Sequence, residues 1–434
     1  MSVGADLRIS GATSDARSES DIRIDVRQPD RVIAASNDID SSQQAQFWSA
    51  DGGATWSQTN LPLVFDDSTH SDPSVGWTSD GSAWAAAIGI EGALFRLRAY
   101  RSSDGGATWS FDDTVSGSDT SADKELMWVD HGSSSPFADT IYVIWHDDAP
   151  AFVARRTGPS GSWQAPVQVS GAETTGTAIG GDVTTNQRGD VFAMWPDTGS
   201  RGLYVARSSD GGATFDAPVA IATTVASFDI GVPAFASRRA LITVSGAAFL
   251  GKVSEFVFAA WTDLRGGSGC GSAADEPGSD VTSPCKSRVW FTRSVDGGIT
   301  WETARMVNDQ PGLNDQFNSR LAIDDTDGTL IITYYDTVDD PGRLETTVWY
   351  QSSADYGLSW TAPLQVSSAA TDETGGGADL GNQYGDYNGL SAHAGRVLPT
   401  WTDRRGGASE EIWSAPVVPE SVTGYALAAL LQHL

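Results

Sequence analysis

Lysine is nearly absent: Lys124, Lys252 and Lys286 are the three in a chain of 434 residues. Glutamate is scarce as well, 12 of the 56 acids, the other 44 being aspartate. Glu and Lys build helix surfaces, so this poverty excludes large helical bundles. No apolar run approaches the roughly 18 residues of a membrane span. Bases number 27 against 56 acids, a net charge of −29. Nucleic acid is therefore a poor partner, because its binding rests on phosphate neutralisation by Lys and Arg, and an anionic membrane surface is disfavoured likewise. A local arginine cluster can still reverse the field inside one pocket. What is abundant is glycine (47), tryptophan (16), aspartate, serine and threonine, the composition of many short strands joined by tight turns. A hydrophobic fraction of 40% supplies a core and excludes global disorder.

Cysteine is limited to Cys270 and Cys285, inside one Gly/Ser/Asp/Pro-rich stretch. With no His or further Cys beside them they do not form a zinc site. A disulfide closing that loop is expected, and with it an oxidising compartment, extracellular or otherwise exported. The N-terminus MSVGADLRIS has no basic start and no apolar run, so no signal peptide is read in this chain.

One octet recurs at Ser49–Trp56, Ser102–Trp109, Ser208–Phe215, Ser294–Trp301 and Ser353–Trp360, with its acid at Asp51, Asp104, Asp210, Asp296 and Asp355. These acids lie 53, 106, 86 and 59 residues apart. The gap of 106 is twice 53, and Gly158–Trp163 stands in it as a worn copy. The gap of 86 carries the cysteine loop as an insertion. The Asp is expected to close a turn on backbone N–H groups, Gly to supply a positive φ, and the last aromatic to pack between sheets. The octet thus reads as structural.

Upstream of each octet an apolar run ends in an aromatic and an acid, at Asp147, Asp197, Asp263, Asp336 and Asp403, with weaker copies at Val32–Asp38 and Trp84–Glu91. Seven units of strand, turn, apolar strand, loop, strand, octet and strand predict an all-β fold, a seven-bladed β-propeller of four-stranded antiparallel blades. The blades are expected at 20–62, 72–116, 123–170, 180–222, 237–308, 316–368 and 381–417. The seventh unit lacks its last strand, and residues 5–10 should supply it, leaving no open sheet edge. One propeller domain, 1–417, would be followed by a tail, 418–434, read as a short helix or a disordered end.

The octet resembles the Asp-box, or bacterial neuraminidase repeat, and nearly the whole chain is similar to the sialidase superfamily of Asp-box propellers. That resemblance implies a functional face opposite the octets, built by the loops between second and third strands and the segments leading into each first strand. It implies a glycan partner. True sialidases show an Arg-Ile-Pro motif and a Tyr–Glu nucleophile pair on six blades. This chain has no Arg-Ile-Pro and seven units, and although Gln383–Leu390 is similar to the nucleophilic Tyr segment, no Glu partner is assigned. Strict exo-sialidase activity is not expected.

On that face the sequence gathers unlike charges on one blade: Asp123, Lys124 and Glu125 open the third unit, and His146, Asp147 and Asp148 follow its second strand. Paired carboxylates flanking a sugar serve as acid and base or nucleophile, and a His beside them as a base. The expected catalytic set is His146, Asp147, Glu125, Asp386 and Tyr387. Lys124, Arg320, Arg265, Arg404 and His70 are the expected substrate-binding residues. An acid after every second strand can equally cap a turn. No cofactor is required by this chemistry, although clustered Asp oxygens suit Ca²⁺. The expected function is a glycoside hydrolase acting on an extracellular glycan, or a lyase of uronates; the alternative is a non-catalytic glycan-binding or scaffold propeller.

Overall fold

A computed structural model describes residues 2–11, 16–39, 41–407 and 409–418. The alternating, glycine-punctuated runs form short antiparallel strands, and these assemble into seven four-stranded blades. The innermost strands are Arg17–Ile24, Thr69–Trp77, Ala122–Val129, Asp182–Thr185, Val244–Leu250, Gln316–Ile323 and Leu390–His393. Each touches the next, and the seventh touches the first, so the ring is closed. The apolar second strands are almost wholly buried, and Trp145, Trp195, Trp261 and Trp401 near their ends pack between blades. Among the described residues no helix is long and apolar enough to cross a membrane.

Closure follows the sequence expectation. The seventh blade runs Leu390–His393, Arg396–Asp403, Glu411–Ser414 and then Leu7–Arg8 from the N-terminus, with Leu7 opposite Ser414 and Arg8 opposite Trp413. Ile9 continues the pairing, its N–H donating to Ile412 O at 2.9 Å, and its side chain is buried against Ile22, Leu398 and Ile412. A further pair, Ser2–Val3 with Val417–Val418, extends the same sheet through the pairing of Val417 with Val397 of the second strand. The expected tail lies outside the described residues from 419 onward.

Each octet is a turn held by its own side chains. In the second blade Ser102 Oγ donates to Asp104 Oδ1 (2.8 Å), Thr108 N–H to the same oxygen (2.9 Å) and Thr108 Oγ1 to Oδ2 (2.6 Å). Gly105 and Gly106 have φ of 82° and 97°, which explains the paired glycines. The Trp109 indole then donates to Gly106 O (3.0 Å).

The acids that end the second strands cap turns too. Asp197 accepts the N–H groups of Thr175, Gly176, Gly199 and Ser200, and Asp263 those of Val225 and Ala226. They tie the segment entering a blade to the far end of its second strand. Cys270 and Cys285 are disulfide-bonded, with Cα atoms 4.7 Å apart. Although the loop is an insertion, both cysteines are buried in the main hydrophobic cluster. Arg343 holds the loop to the sixth blade, donating to Cys285 O (3.1 Å) while paired with buried Asp315 (2.6 Å).

Candidate active site

At the axial mouth opposite the octets, four inner strands carry the same irregularity. The pairing register breaks between Ser18 and Ser20, Ser71 and Ser74, Asp123 and Leu126, and Phe317 and Arg320. The residue inside each bulge has a left-handed backbone: Glu19 (54°), Asp72 (46°), Lys124 (56°) and Asn318 (48°). Such a conformation is unfavourable for Glu and Lys, and strain of this kind concentrates at functional sites. Here the bulges bring polar groups from neighbouring blades together. In the seventh blade Gly385 (70°) passes so close to Glu19 that a Cβ on it would lie 2.6 Å from the Glu19 side chain.

The result is a cluster drawn from separate blades. Lys124 Nζ is paired with Asp386 and lies 3.8 Å from Asp72 and 3.9 Å from Glu19. Arg238, from the segment inserted between the fourth and fifth blades, pairs with the other Asp386 oxygen and stands 3.6 Å from Glu19. That segment is pinned by Gln383, whose side-chain oxygen accepts the N–H groups of Ala236, Ser237 and Arg238 at 3.2, 2.9 and 3.1 Å. Glu19 accepts Asn37 Nδ2 at 2.7 Å and the Asp386 N–H at 3.1 Å. Among the described residues the Tyr387 hydroxyl and both Glu125 oxygens are buried without a hydrogen-bond partner. Tyr387, Lys124 and Arg320 border a small cavity of about 20 Å³.

Burial pushes Glu19 up to about 8, against the pull of Lys124. Asp386 is buried as well, yet Lys124 and Arg238 hold it below the usual carboxylate range. The two neighbouring carboxyls are thus pushed in opposite directions, the division of labour that acid–base catalysis needs. Burial and then Asp72 lift Asp123 to about 6 and Glu125 well above the ordinary range. Lys124 resists burial because Asp72, Glu19 and Asp386 surround it, and stays well above the ordinary lysine range. Burial drives Tyr387 well up and His146 down to about 4.

Of the residues singled out from sequence, Lys124, Glu125, Asp386 and Tyr387 meet at this mouth. His146 lies behind it, across the strand pair from Asp123. Asp147 instead accepts the Ser121 N–H (2.7 Å), as a turn cap does. Arg320 lies deeper, donating to Asp182 at 3.1 Å. His70 is an interior histidine against the Tyr100 hydroxyl (3.0 Å). Arg265 pairs with Asp309 at 2.8 Å on the exposed edge of the fifth blade. Arg404 braces the entrance to the seventh blade through Asp372 O (2.6 Å) and Gly376 O (3.2 Å). Glu19 and Arg238 escaped the sequence reading. A signal for Glu19 existed: Ser18-Glu19-Ser20-Asp21 occupies in the first blade the place of Ser71-Asp72-Pro73-Ser74 in the second.

No protein-family model matches the chain, and no curated protein matches it. Among solved structures, the leech intramolecular trans-sialidase complexed with 2,7-anhydro-Neu5Ac is 14% identical, over 83% of this chain and 71% of that one, with a TM-score of 0.52. A protein of unknown function from Dyadobacter fermentans is 14% identical over 96% of this chain and 98% of its own, with a TM-score of 0.49. An α-L-arabinofuranosidase from Fusarium graminearum is 12% identical over 82% and 95%, with a TM-score of 0.40. The chain is thus similar in fold to the leech trans-sialidase, at an identity that speaks for the fold alone.

Proposed function

We propose that the protein is a glycoside hydrolase acting on an extracellular glycan at the mouth built by Glu19, Lys124, Arg238, Asp386 and Tyr387. What carries this reading is the convergence of two buried carboxyls from the first and seventh blades: Glu19 accepts the Asp386 N–H at 3.1 Å and Asp386 is paired with Lys124 and Arg238, while burial raises Glu19 and the two cations hold Asp386 down. Glu19 delivers its proton to the glycosidic oxygen. Asp386, ionised, activates water or attacks the anomeric carbon, the two roles open to the second carboxylate of such a pair. Arg238 leaves Asp386 as substrate enters, and Lys124 and the unpartnered Tyr387 hydroxyl take up sugar oxygens. The buried disulfide supports export to an oxidising compartment.

One observation favours a second reading, a glycan-binding propeller without turnover: both Asp386 oxygens are occupied by cations. A panel of aryl glycosides and polysaccharides, scored by released chromophore or reducing sugar beside a glycan array, separates the two. The hydrolase releases sugar, and Glu19→Gln abolishes release while array binding persists. Array binding with no hydrolysis of any bound glycan would establish the second reading instead.

A further inference from the structure

Midway along the axis two carboxylates stitch blades together. Asp21 accepts Ser74 Oγ (3.1 Å) and the Val75 N–H (3.0 Å) from the second blade, and Asp182 accepts the Gly246 N–H (2.9 Å) from the fifth. Each also takes one arginine nitrogen, Arg23 Nη1 at 2.6 Å on Asp21 and Arg320 Nη1 at 3.1 Å on Asp182. Arg23 Nη1 reaches Ile22 O as well (2.8 Å). The Nε and Nη2 groups of both arginines have no hydrogen-bond partner among the described residues. The carboxylates are therefore supplied with N–H and O–H donors from adjoining blades, while the two guanidinium groups keep unspent donors.

Both arginines border a cavity of about 80 Å³ that opens on the octet side, away from the Glu19 cluster. Its lining is mixed: Trp128, Ala322, Ile323 and Ala392 supply apolar surface beside the polar Thr184, Thr185 and Asn186, and Trp128 stands beside Arg23. At its rim Asp325 is bonded to His393 Nδ1 (2.9 Å) and so is already engaged. Burial, with the charge of Arg320 among the further causes, lowers the Arg23 guanidinium from its usual value; an anion between the two would relieve that strain. The volume holds roughly six water-sized groups, the size of a short-chain acid.

We propose that this octet-side cavity binds a small apolar monocarboxylate, its carboxylate forked by Arg23 and Arg320 and its hydrocarbon chain along Trp128, Ala322 and Ile323. Guanidinium groups suit a carboxylate because their planar N–H pairs match its two oxygens, and the apolar wall rewards a hydrocarbon body over an inorganic anion.

The test is calorimetric titration and thermal melting of the full chain with hexanoate, hexanol and sulfate. Hexanoate is expected to bind saturably and raise the melting temperature, at least tenfold more tightly than either comparison compound. Arg23→Met should weaken it at least tenfold. Ala392→Phe, which fills the cavity from a partly exposed wall position, should abolish binding while the ligand-free melting curve stays put. Glu19→Gln, at the other mouth, should leave hexanoate affinity unchanged. Equal binding of hexanol, undiminished binding in Ala392→Phe, loss of binding in Glu19→Gln, or no saturable hexanoate binding would each overturn the assignment.

Discussion

The octet acids and the axial acids are the same functional group in opposite circumstances. Asp210 lies near solvent, and although burial is the largest single influence and raises it, the Thr214 N–H and hydroxyl and the Ser208 hydroxyl together hold it down to about 2. Glu19 has a hydrogen bond from Asn37 and two cations nearby, yet burial lifts it to about 8. Hydrogen bonding decides at the rim and desolvation decides on the axis. The lesson is that repetition marks scaffold: the octet acid that recurs in five of the seven blades is spent on its own turn, whereas the acids that differ between blades meet at one mouth.

The comparison is tested most severely at the seam where the ring closes. Glu19 belongs to the first blade and Asp386 to the seventh, so the strand Leu7–Arg8 holds the proposed pair together from outside. Removing residues 2–10 takes away that strand and the buried Ile9. The melting temperature should fall by roughly 5–10 °C, and any turnover should fall with it. An unchanged melting curve would mean that the ring does not depend on this strand.

Glu19→Gln should come next in size. Glutamine is nearly isosteric with a protonated carboxyl, so the fold is kept while the proton donor is lost. Turnover should drop about 10²–10⁴-fold, with a melting curve close to wild type near pH 5 and no lower than wild type at pH 7. Undiminished turnover would remove Glu19 from the chemistry and leave the axial cluster with a packing role.

Much of this architecture was legible in sequence because it repeats. Seven apolar runs, five octets and a seventh unit short of one strand gave the blade count and the closure by Leu7–Arg8. Lys124, Glu125, Asp386 and Tyr387 could be placed on one face from their positions within units. Glu19 could not, because its reach depends on a one-residue bulge that re-aims a strand, and its partner Asp386 stands 367 residues away. Arg238 was hidden in an insertion with no counterpart in other units. Asp147 and His70 were chosen for chemical type, but their surroundings spend them on a backbone N–H and a tyrosine hydroxyl.

The pH dependence of stability should distinguish the two regions further. Glu19 moves from an ordinary 4.5 to about 8 on folding. Between those values the folded chain keeps a proton that the unfolded chain has released, so its contribution to stability is lost as pH rises through that window. One proton corresponds to at most about 1.4 kcal/mol per pH unit. Glu19→Gln removes this loss, so the variant should gain on wild type in denaturant titrations from pH 5 to pH 8. Parallel profiles would show that Glu19 ionises normally.

The smallest effect belongs to the octets. Asp104→Ala removes the acceptor for Ser102 Oγ, the Thr108 N–H and Thr108 Oγ1. These bonds lie at the surface, where water replaces much of what is lost, so the cost should be about 1 kcal/mol rather than the sum of three buried bonds. The sign of its pH dependence is opposite to that of Glu19: Asp104 is held below its ordinary 3.8 chiefly by the Thr108 hydroxyl, so its contribution is present above that value and disappears as pH falls through the folded one. Turnover and hexanoate binding should both survive, because the octet turn faces away from the Glu19 mouth and outside the arginine-floored cavity. If Asp104→Ala abolished turnover while leaving denaturant stability intact, the repeated acids would belong to the chemistry, and the division between scaffold and site would fail at its simplest point.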